Sequence, residues 1–303
     1  MTETPVLFGP DGGRLLGVVT RPAGPSTPPL ACLLLNQGAG DRTGPRRINV
    51  KLARRLAEHG IASIRMDLAG LGDSGAPSGQ GDFVQQGVAD LQAAMDLLQS
   101  TLGVRRFAPI GLCSGGVHGL AVAGEDPRVA GLMMFDSFSF ARRRVVLMRR
   151  LRKIAALPFN APLRGRVAEA VRQRLGPPRP QIYQTLAPDE HERRFRAAMQ
   201  KLAARGTAVC MLSSGSLDTA DSGRDQLGRM GREPFARDIE YRFEPRIDHT
   251  LVTLESQRLF LDLACGWARR VAHQAATASA QAQPAQRDAP ALAASTGFGA
   301  LMA

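Results

Sequence analysis

Short apolar segments alternate with segments of helical periodicity over most of this 303-residue sequence. Two apolar runs, Ala31–Leu35 and Ile61–Met66, flank a stretch from 47 to 60 in which apolar residues recur at helical spacing. Strand, helix and strand in this order predict a βαβ unit. Repetition of the unit restricts the chain to a mostly parallel sheet with helices on both faces, whose carboxyl strand ends form the expected site.

The alternation extends through most of the chain and stops once. We predict strands over 15–20, 107–112, 129–135, 208–212 and 239–243, and helices over 83–102, from Gly115 onward, and over 254–272. Between 138 and 205 the sequence instead has a basic helical stretch, a proline break and a charged helix over about 188–204. We therefore predict one domain over 1–273 with a helical cap insertion at about 138–205. Residues 274–303, rich in Ala, Gln, Ser and Pro, are predicted to be a disordered tail.

The formal charge of +12 is concentrated between 141 and 180, where twelve Arg and Lys residues accompany a single acid, Glu169. Aromatic residues make up only 5% of the chain, which argues against a nucleic-acid groove. The four cysteines are far apart in sequence, so we expect neither a metal site nor a disulfide framework. Without a signal-like start or a run of about 20 apolar residues, the expected location is the cytoplasm, with no transmembrane segment.

A glycine-rich turn, IGLCSGG over residues 110–116, lies between a predicted strand and a predicted helix. This setting is typical of a nucleophile elbow, in which a tight turn presents one side chain and small residues stand two positions before and after it. If Cys113 is the nucleophile, both flanking residues are glycine, whereas for Ser114 one of them is Leu112. We favour Cys113 and keep Ser114 as the alternative. A turn of this kind without a nucleophile also occurs in nucleotide-binding folds.

A histidine and an acid follow the elbow in the order that such a site needs. His249 lies on a loop between the last predicted strand and the closing helix. Asp218 follows the strand predicted over 208–212, so we choose it as the acid that orients the imidazole, with Asp221 as an alternative. Asp136, at the end of an earlier strand, is a weaker candidate.

The developing oxyanion requires two hydrogen-bond donors. The backbone N–H of Ser114 is the first in the Cys113 register. The second is expected from the small residues after the strand Ala31–Leu35, where the N–H of Ala39 is our choice.

These motifs together resemble the α/β-hydrolase superfamily, and more narrowly the serine-aminopeptidase-like bacterial hydrolases. The resemblance covers roughly residues 18–268 and rests on Asn36–Gly38, Asp67–Gly75, the elbow, Asp218 and His249. It implies an α/β-hydrolase fold, a mostly parallel sheet flanked by helices with a helical cap. Residues 44–47 and 52–56 are also similar to a subgroup found with polysaccharide or natural-product biosynthesis. Cysteine at the elbow is similar to dienelactone hydrolases and polyhydroxyalkanoate synthases, which implies ester hydrolysis or acyl transfer.

The expected activity is therefore an acyl hydrolase acting on an ester or thioester through a Cys-His-Asp triad, a mechanism for which we expect no metal and no organic cofactor. An acyltransferase of a biosynthetic pathway and a non-catalytic binding protein on the same scaffold are the alternatives. The expected partner is a small acyl substrate, and the basic insertion could attract an anionic or carrier-bound one, or an anionic membrane surface. An insertion whose arginines only solvate a cap would bind none of these.

Overall fold

The computed structural model describes residues 1–9, 13–24, 27–77, 82–140, 188–216 and 224–282. Within these ranges, eight strands form one sheet in the order β1-β2-β4-β3-β5-β6-β7-β8. The strands are β1 (Thr2–Phe8), β2 (Leu15–Arg21), β3 (Ala31–Leu35), β4 (Ala62–Met66), β5 (Phe107–Leu112), β6 (Gly131–Phe135), β7 (Ala208–Ser214) and β8 (Ile239–Glu244). The helices are α1 (Ile48–Glu58), α2 (Phe83–Leu102), α3 (Gly115–Glu125), α4 (Pro188–Ala204) and α5 (Leu254–Ala282).

The sheet is parallel except at its first edge. The hairpin of β1 and β2 is antiparallel, and β2 also pairs antiparallel with β4. All pairings from β4 through β8 are parallel, with β5 near the centre between β3 and β6. The carboxyl ends of β3, β5, β6, β7 and β8 therefore lie along the same edge of the sheet, which brings their following loops together.

Each face of the sheet is covered by its own hydrophobic cluster. On one face α2, α3 and α4 pack with residues such as Leu91, Leu120 and Phe195. On the other face α1 and α5 pack with residues such as Leu52 and Phe260. Because both faces are covered, strands such as β3 and β5 are buried at every position. The mostly parallel, helix-flanked sheet expected from the sequence is confirmed.

The described part of the predicted cap insertion belongs to the main body of the fold. Helix α4 packs against α3 and β7, and its residues Phe195, Met199 and Leu202 are buried in the same cluster as the sheet. Their spacing of three and four residues gives α4 one apolar stripe that its many charges obscure in the sequence. Residues 188–204 therefore help to cover one face of the sheet, and a cap insertion at about 138–205 stays a prediction. The basic residues between 141 and 180, which are predicted to belong to a helical stretch, lie outside the described residues.

The closing helix is longer than the sequence pattern predicted. Helix α5 continues to Ala282, so the first nine positions assigned to a disordered tail are helical. The tail was predicted to be disordered because this segment can bury little apolar surface. Its alanines nevertheless favour a helix, since alanine has the highest intrinsic helix propensity of all residues. Residues 283–303 lie outside the described residues. Among the helices that the structure describes, none is long and apolar enough to span a membrane.

Candidate active site

The turn between β5 and α3 places Cys113 at its apex. Cys113 has φ 50°, in the left-handed region that few residues other than glycine adopt, while Ser114 has an ordinary helical φ of −61°. The N–H of Cys113 donates to the carbonyl oxygen of Phe135 at 2.8 Å, which ties the turn to the end of β6. The strained position is thus occupied by the residue that the favoured register presents.

Glycine is required on both sides of this turn. A Cβ at Gly111 would collide with the backbone nitrogen of Gly116. A Cβ at Gly115 would lie 2.7 Å from the carbonyl oxygen of Asn36, on the loop that follows β3. The chain therefore needs glycine two residues before and two residues after Cys113, as predicted for an elbow centred on this residue.

His249 lies on the loop between β8 and α5, and its neighbours hold this loop tightly. The carboxylate of Asp248 accepts hydrogen bonds from the backbone N–H of Thr250 at 3.1 Å and of Val252 at 3.0 Å. The N–H of His249 donates to Ser216 Oγ at 2.9 Å. The imidazole is consequently presented from a fixed backbone.

The carboxylate that contacts this imidazole is that of Asp136, directly after β6. His249 Nδ1 lies 2.9 Å from Asp136 Oδ2, and the side chain of Asp136 is 0% exposed. Ser214, the last residue of β7, donates its N–H to Asp136 Oδ1 at 2.7 Å and its hydroxyl to Oδ2 at 2.5 Å. Asp136 itself has φ 49°, so two residues of the site adopt the left-handed region. These contacts give both oxygens of the carboxylate a hydrogen-bond partner and orient Oδ2 toward the imidazole of His249.

The acid predicted from the sequence is Asp218, with Asp221 as the alternative, and both lie outside the described residues. Asp136 occupies the position at Nδ1 for which Asp218 was chosen, so Asp136 replaces Asp218 as the candidate acid. Asp218 was predicted because the acid must lie between the nucleophile and the histidine in the chain, and an acid after β7 meets this requirement as well as one after β6. The sequence feature that could have identified the acid was the position of Asp136 directly after an apolar strand.

The two side chains next to the acid have shifted ionisation. A hydrogen bond to Asp136, and a second to Cys113, raises the pKa of His249 to about 10. The hydrogen bond from His249 lowers the pKa of the Cys113 thiol, against the opposing effect of burial, and the backbone N–H of Ser114 lowers it further. Because Nδ1 is bound to Asp136, Nε2 is the ring nitrogen left for the thiol. Both directions favour a thiolate beside an imidazolium at neutral pH.

The loop of residues 36–42, here called the oxyanion loop, lies against the first turn of α3. It contains Ala39, our expected second donor, and the N–H of its neighbour Gly38 donates to Ser114 Oγ at 2.6 Å. Arg42, which no sequence pattern indicated, also lies on this loop. Its backbone N–H and Nη1 both donate to the buried carboxylate of Asp67 at 2.5 Å. Nη1 also reaches Asp73 at 2.7 Å.

The remaining cysteines belong to the core. Cys32, Cys210 and Cys265 are buried, and burial raises the pKa of each thiol. They are small residues of the core. Within the ranges that the structure describes, no group of three or more His, Cys, Asp and Glu side chains could hold a metal ion.

The chain is similar in sequence to one known family. A family model for serine aminopeptidases of the S33 type matches residues 27–174, slightly less than half of the chain. The match includes the oxyanion loop, the elbow and Asp136, and it ends before His249. No curated protein matches the chain by sequence.

Several solved structures share the fold at low sequence identity. A putative α/β hydrolase from Agrobacterium tumefaciens has a TM-score of 0.54 at 14% identity, covering 89% of this chain and 97% of its own. An esterase from Pyrococcus furiosus has a TM-score of 0.53 at 12% identity, with 89% and 91% covered. The esterase domain of a Rhodothermus marinus protein has a TM-score of 0.51 at 17% identity, with 89% and 99% covered. The chain therefore has the α/β-hydrolase fold, and together these comparisons support a hydrolase.

Proposed function

We propose that the chain is an acyl hydrolase that cleaves an ester or thioester through a covalent acyl-enzyme on Cys113. The observation that carries the proposal is that His249, bound through Nδ1 to the buried carboxylate of Asp136 at 2.9 Å, also lowers the pKa of the Cys113 thiol at the apex of the elbow. A nucleophile, a base and an orienting acid in this arrangement are the parts that acyl transfer requires. The serine-aminopeptidase match and the esterases among the structural neighbours support the same reaction class.

In the first half-reaction the Cys113 thiolate attacks the substrate carbonyl and forms a carbon–sulfur bond. The carbonyl oxygen becomes an oxyanion, which the N–H groups of Ser114 and Ala39 would stabilise. The intermediate then collapses, and the bond to the alcohol or thiol breaks. The imidazolium of His249 gives its proton to the departing group, so the leaving group is neutral and His249 is left uncharged.

In the second half-reaction the neutral His249 removes a proton from water, which attacks the thioester that joins the acyl group to Cys113. The second tetrahedral intermediate expels the thiolate and releases a carboxylic acid. The Asp136 carboxylate keeps Nδ1 protonated throughout and stabilises the imidazolium each time it forms. The excess of basic residues between 141 and 180 favours a small acyl substrate that carries negative charge or is attached to an acidic carrier.

The test is to expose the protein to a panel of activated esters and acyl thioesters and to locate the acylated residue by peptide mass mapping. Cys113→Ala and Ser114→Ala are the two informative variants, and Cys265→Ala, which changes a thiol in α5, is the matched control. We expect the acyl group on Cys113, abolished by Cys113→Ala and retained in both other variants.

Each alternative has its own outcome in this experiment. Acylation without turnover until an acceptor alcohol is added would identify an acyltransferase rather than a hydrolase. An acyl group on Ser114 would contradict the thiol mechanism. Absence of any acyl-enzyme with every substrate would favour the non-catalytic binding protein.

A further inference from the structure

The hydroxyl of Ser114 does not perform the function that its position in the helix suggests. Ser114 is the N-cap residue of α3, where serine normally accepts a hydrogen bond from a backbone N–H of the first turn, yet its side chain makes no such bond. Its Oγ instead accepts the N–H of Gly38 at 2.6 Å, from a loop 76 residues earlier in the chain. The hydroxyl therefore links the elbow to the oxyanion loop.

The oxyanion loop needs such a link because its glycine residues allow its backbone to adopt several conformations. Gly38 has φ 52°, and the N–H of Gly40 closes a tight turn by donating to the carbonyl oxygen of Gln37 at 3.0 Å. Glycine at two positions allows the peptides between them to rotate at low cost. The direction in which the N–H of Ala39 points then depends on where the preceding peptide is held.

The far end of the same loop is fixed independently. Arg42 donates through its backbone N–H and its guanidinium to Asp67, whose carboxylate also accepts the N–H of Asp73 at 3.1 Å. At the near end, Gly115 of the elbow packs directly against the carbonyl oxygen of Asn36. The stretch between these two anchors contains Gly38, and Ser114 Oγ contacts it there.

We propose that Ser114 is a positioning residue whose hydroxyl fixes the Gly38 peptide and thereby holds the N–H of Ala39 toward the oxyanion. The inference rests on the proposed acyl transfer for its catalytic consequence, but the tether itself does not depend on that function. Ser114, the alternative nucleophile, thus positions an oxyanion donor for the reaction of Cys113.

The first experiment compares Ser114→Ala with Ser114→Thr and with Ser100→Ala, an exposed serine of α2, as the control. Losing part of one oxyanion interaction should lower kcat about tenfold to a hundredfold in Ser114→Ala, with KM nearly unchanged. Ser114→Thr keeps an acceptor oxygen and should recover most of kcat. Alkylation of Cys113 by iodoacetamide does not use an oxyanion hole, so its rate should not change in any variant. An unchanged kcat in Ser114→Ala, or equal losses of turnover and alkylation, would overturn the proposal.

The second experiment needs no substrate and therefore separates this inference from the proposed function. Amide hydrogen exchange of peptides covering residues 36–42 should be faster in Ser114→Ala than in the wild type, and restored in Ser114→Thr. Unchanged exchange would rule out the tether whether or not the protein turns over an ester. Faster exchange in a protein that forms no acyl-enzyme would keep the tether and reject the acyl-transfer function.

Discussion

The two sides of Cys113 are held by different kinds of interaction. On the acid side, side chains converge on the carboxylate of Asp136, which is wholly buried and receives hydrogen bonds from Ser214 and His249. On the oxyanion side, the groups nearest the elbow are backbone amides, held by Ser114 and by packing against glycine. Proton transfer needs a side chain that changes charge in a fixed environment, whereas an oxyanion needs N–H donors that remain neutral. The comparison predicts that substitutions on the acid side lower kcat most. It also predicts that a substitution on one side leaves the hydrogen bonds of the other side in place.

The largest expected effect comes from removing the negative charge on the acid side. Asp136→Asn should lower kcat about 1,000-fold to 10,000-fold, because the amide cannot stabilise the imidazolium or keep Nδ1 protonated. Asp218→Asn is the matched control, since chain order alone allows either acid. Steady-state kinetics on the best ester of the panel would measure both. A large loss in Asp218→Asn with an active Asp136→Asn would return the acid to the loop after β7.

An intermediate effect is expected at the anchor of the oxyanion loop, where one guanidinium contacts two carboxylates of different burial. The side chain of Asp67 is 0% exposed and that of Asp73 is 67% exposed. Asp67→Ala leaves Arg42 without its buried partner and should lower the free energy of unfolding by about 3 kcal/mol. Asp73→Ala removes a screened pair and should cost about 1 kcal/mol or less. Urea denaturation measures both values, and equal losses would contradict the assignment of Asp67 as the anchor.

The smallest expected effect is a shift in one titration. Because His249 lowers the pKa of the Cys113 thiol, alkylation by iodoacetamide should stay fast below the pH at which an ordinary thiol becomes unreactive. The reactive thiolate is lost as pH falls through the thiol pKa, so His249→Gln should move the midpoint of the rate profile upward. His59→Gln, at an exposed position after α1, should leave it unchanged. Identical profiles for wild type and His249→Gln would show that His249 does not lower the pKa of the Cys113 thiol.

The sequence predicted the features that depend on local pattern. The runs Ala31–Leu35 and Phe107–Leu112 are continuous apolar segments, and both are strands with the predicted bounds. The elbow was also predictable, because its glycine-rich pattern lies within seven residues of chain. The need for glycine at 111 arises within this turn, whereas the need for glycine at 115 comes from the loop after β3. His249 could be selected because it is the only one of the five histidines on a loop after a late strand.

Features that depend on tertiary packing were not predictable in the same way. Asp136 and Asp218 each follow a predicted strand, and only the meeting of β6, β7 and the β8–α5 loop distinguishes them. The burial of Phe195 on α4 depends on the neighbouring α3, while the charges of α4 suggested a separate cap. The hydrogen bond between Ser114 and Gly38 joins residues 76 positions apart, and no local pattern encodes it.

The left-handed backbone of Cys113 has a consequence for directed evolution. An L-residue in this conformation costs roughly 1–2 kcal/mol relative to glycine, so glycine in place of Cys113 would relieve strain while deleting the reacting group. At Asp136 the same change would leave the buried donors of Ser214 without their acceptor and gain nothing. A library screened for heat resistance alone would therefore enrich inactive proteins at codon 113. Selection for thermal tolerance must be coupled to turnover if the catalyst is to survive it.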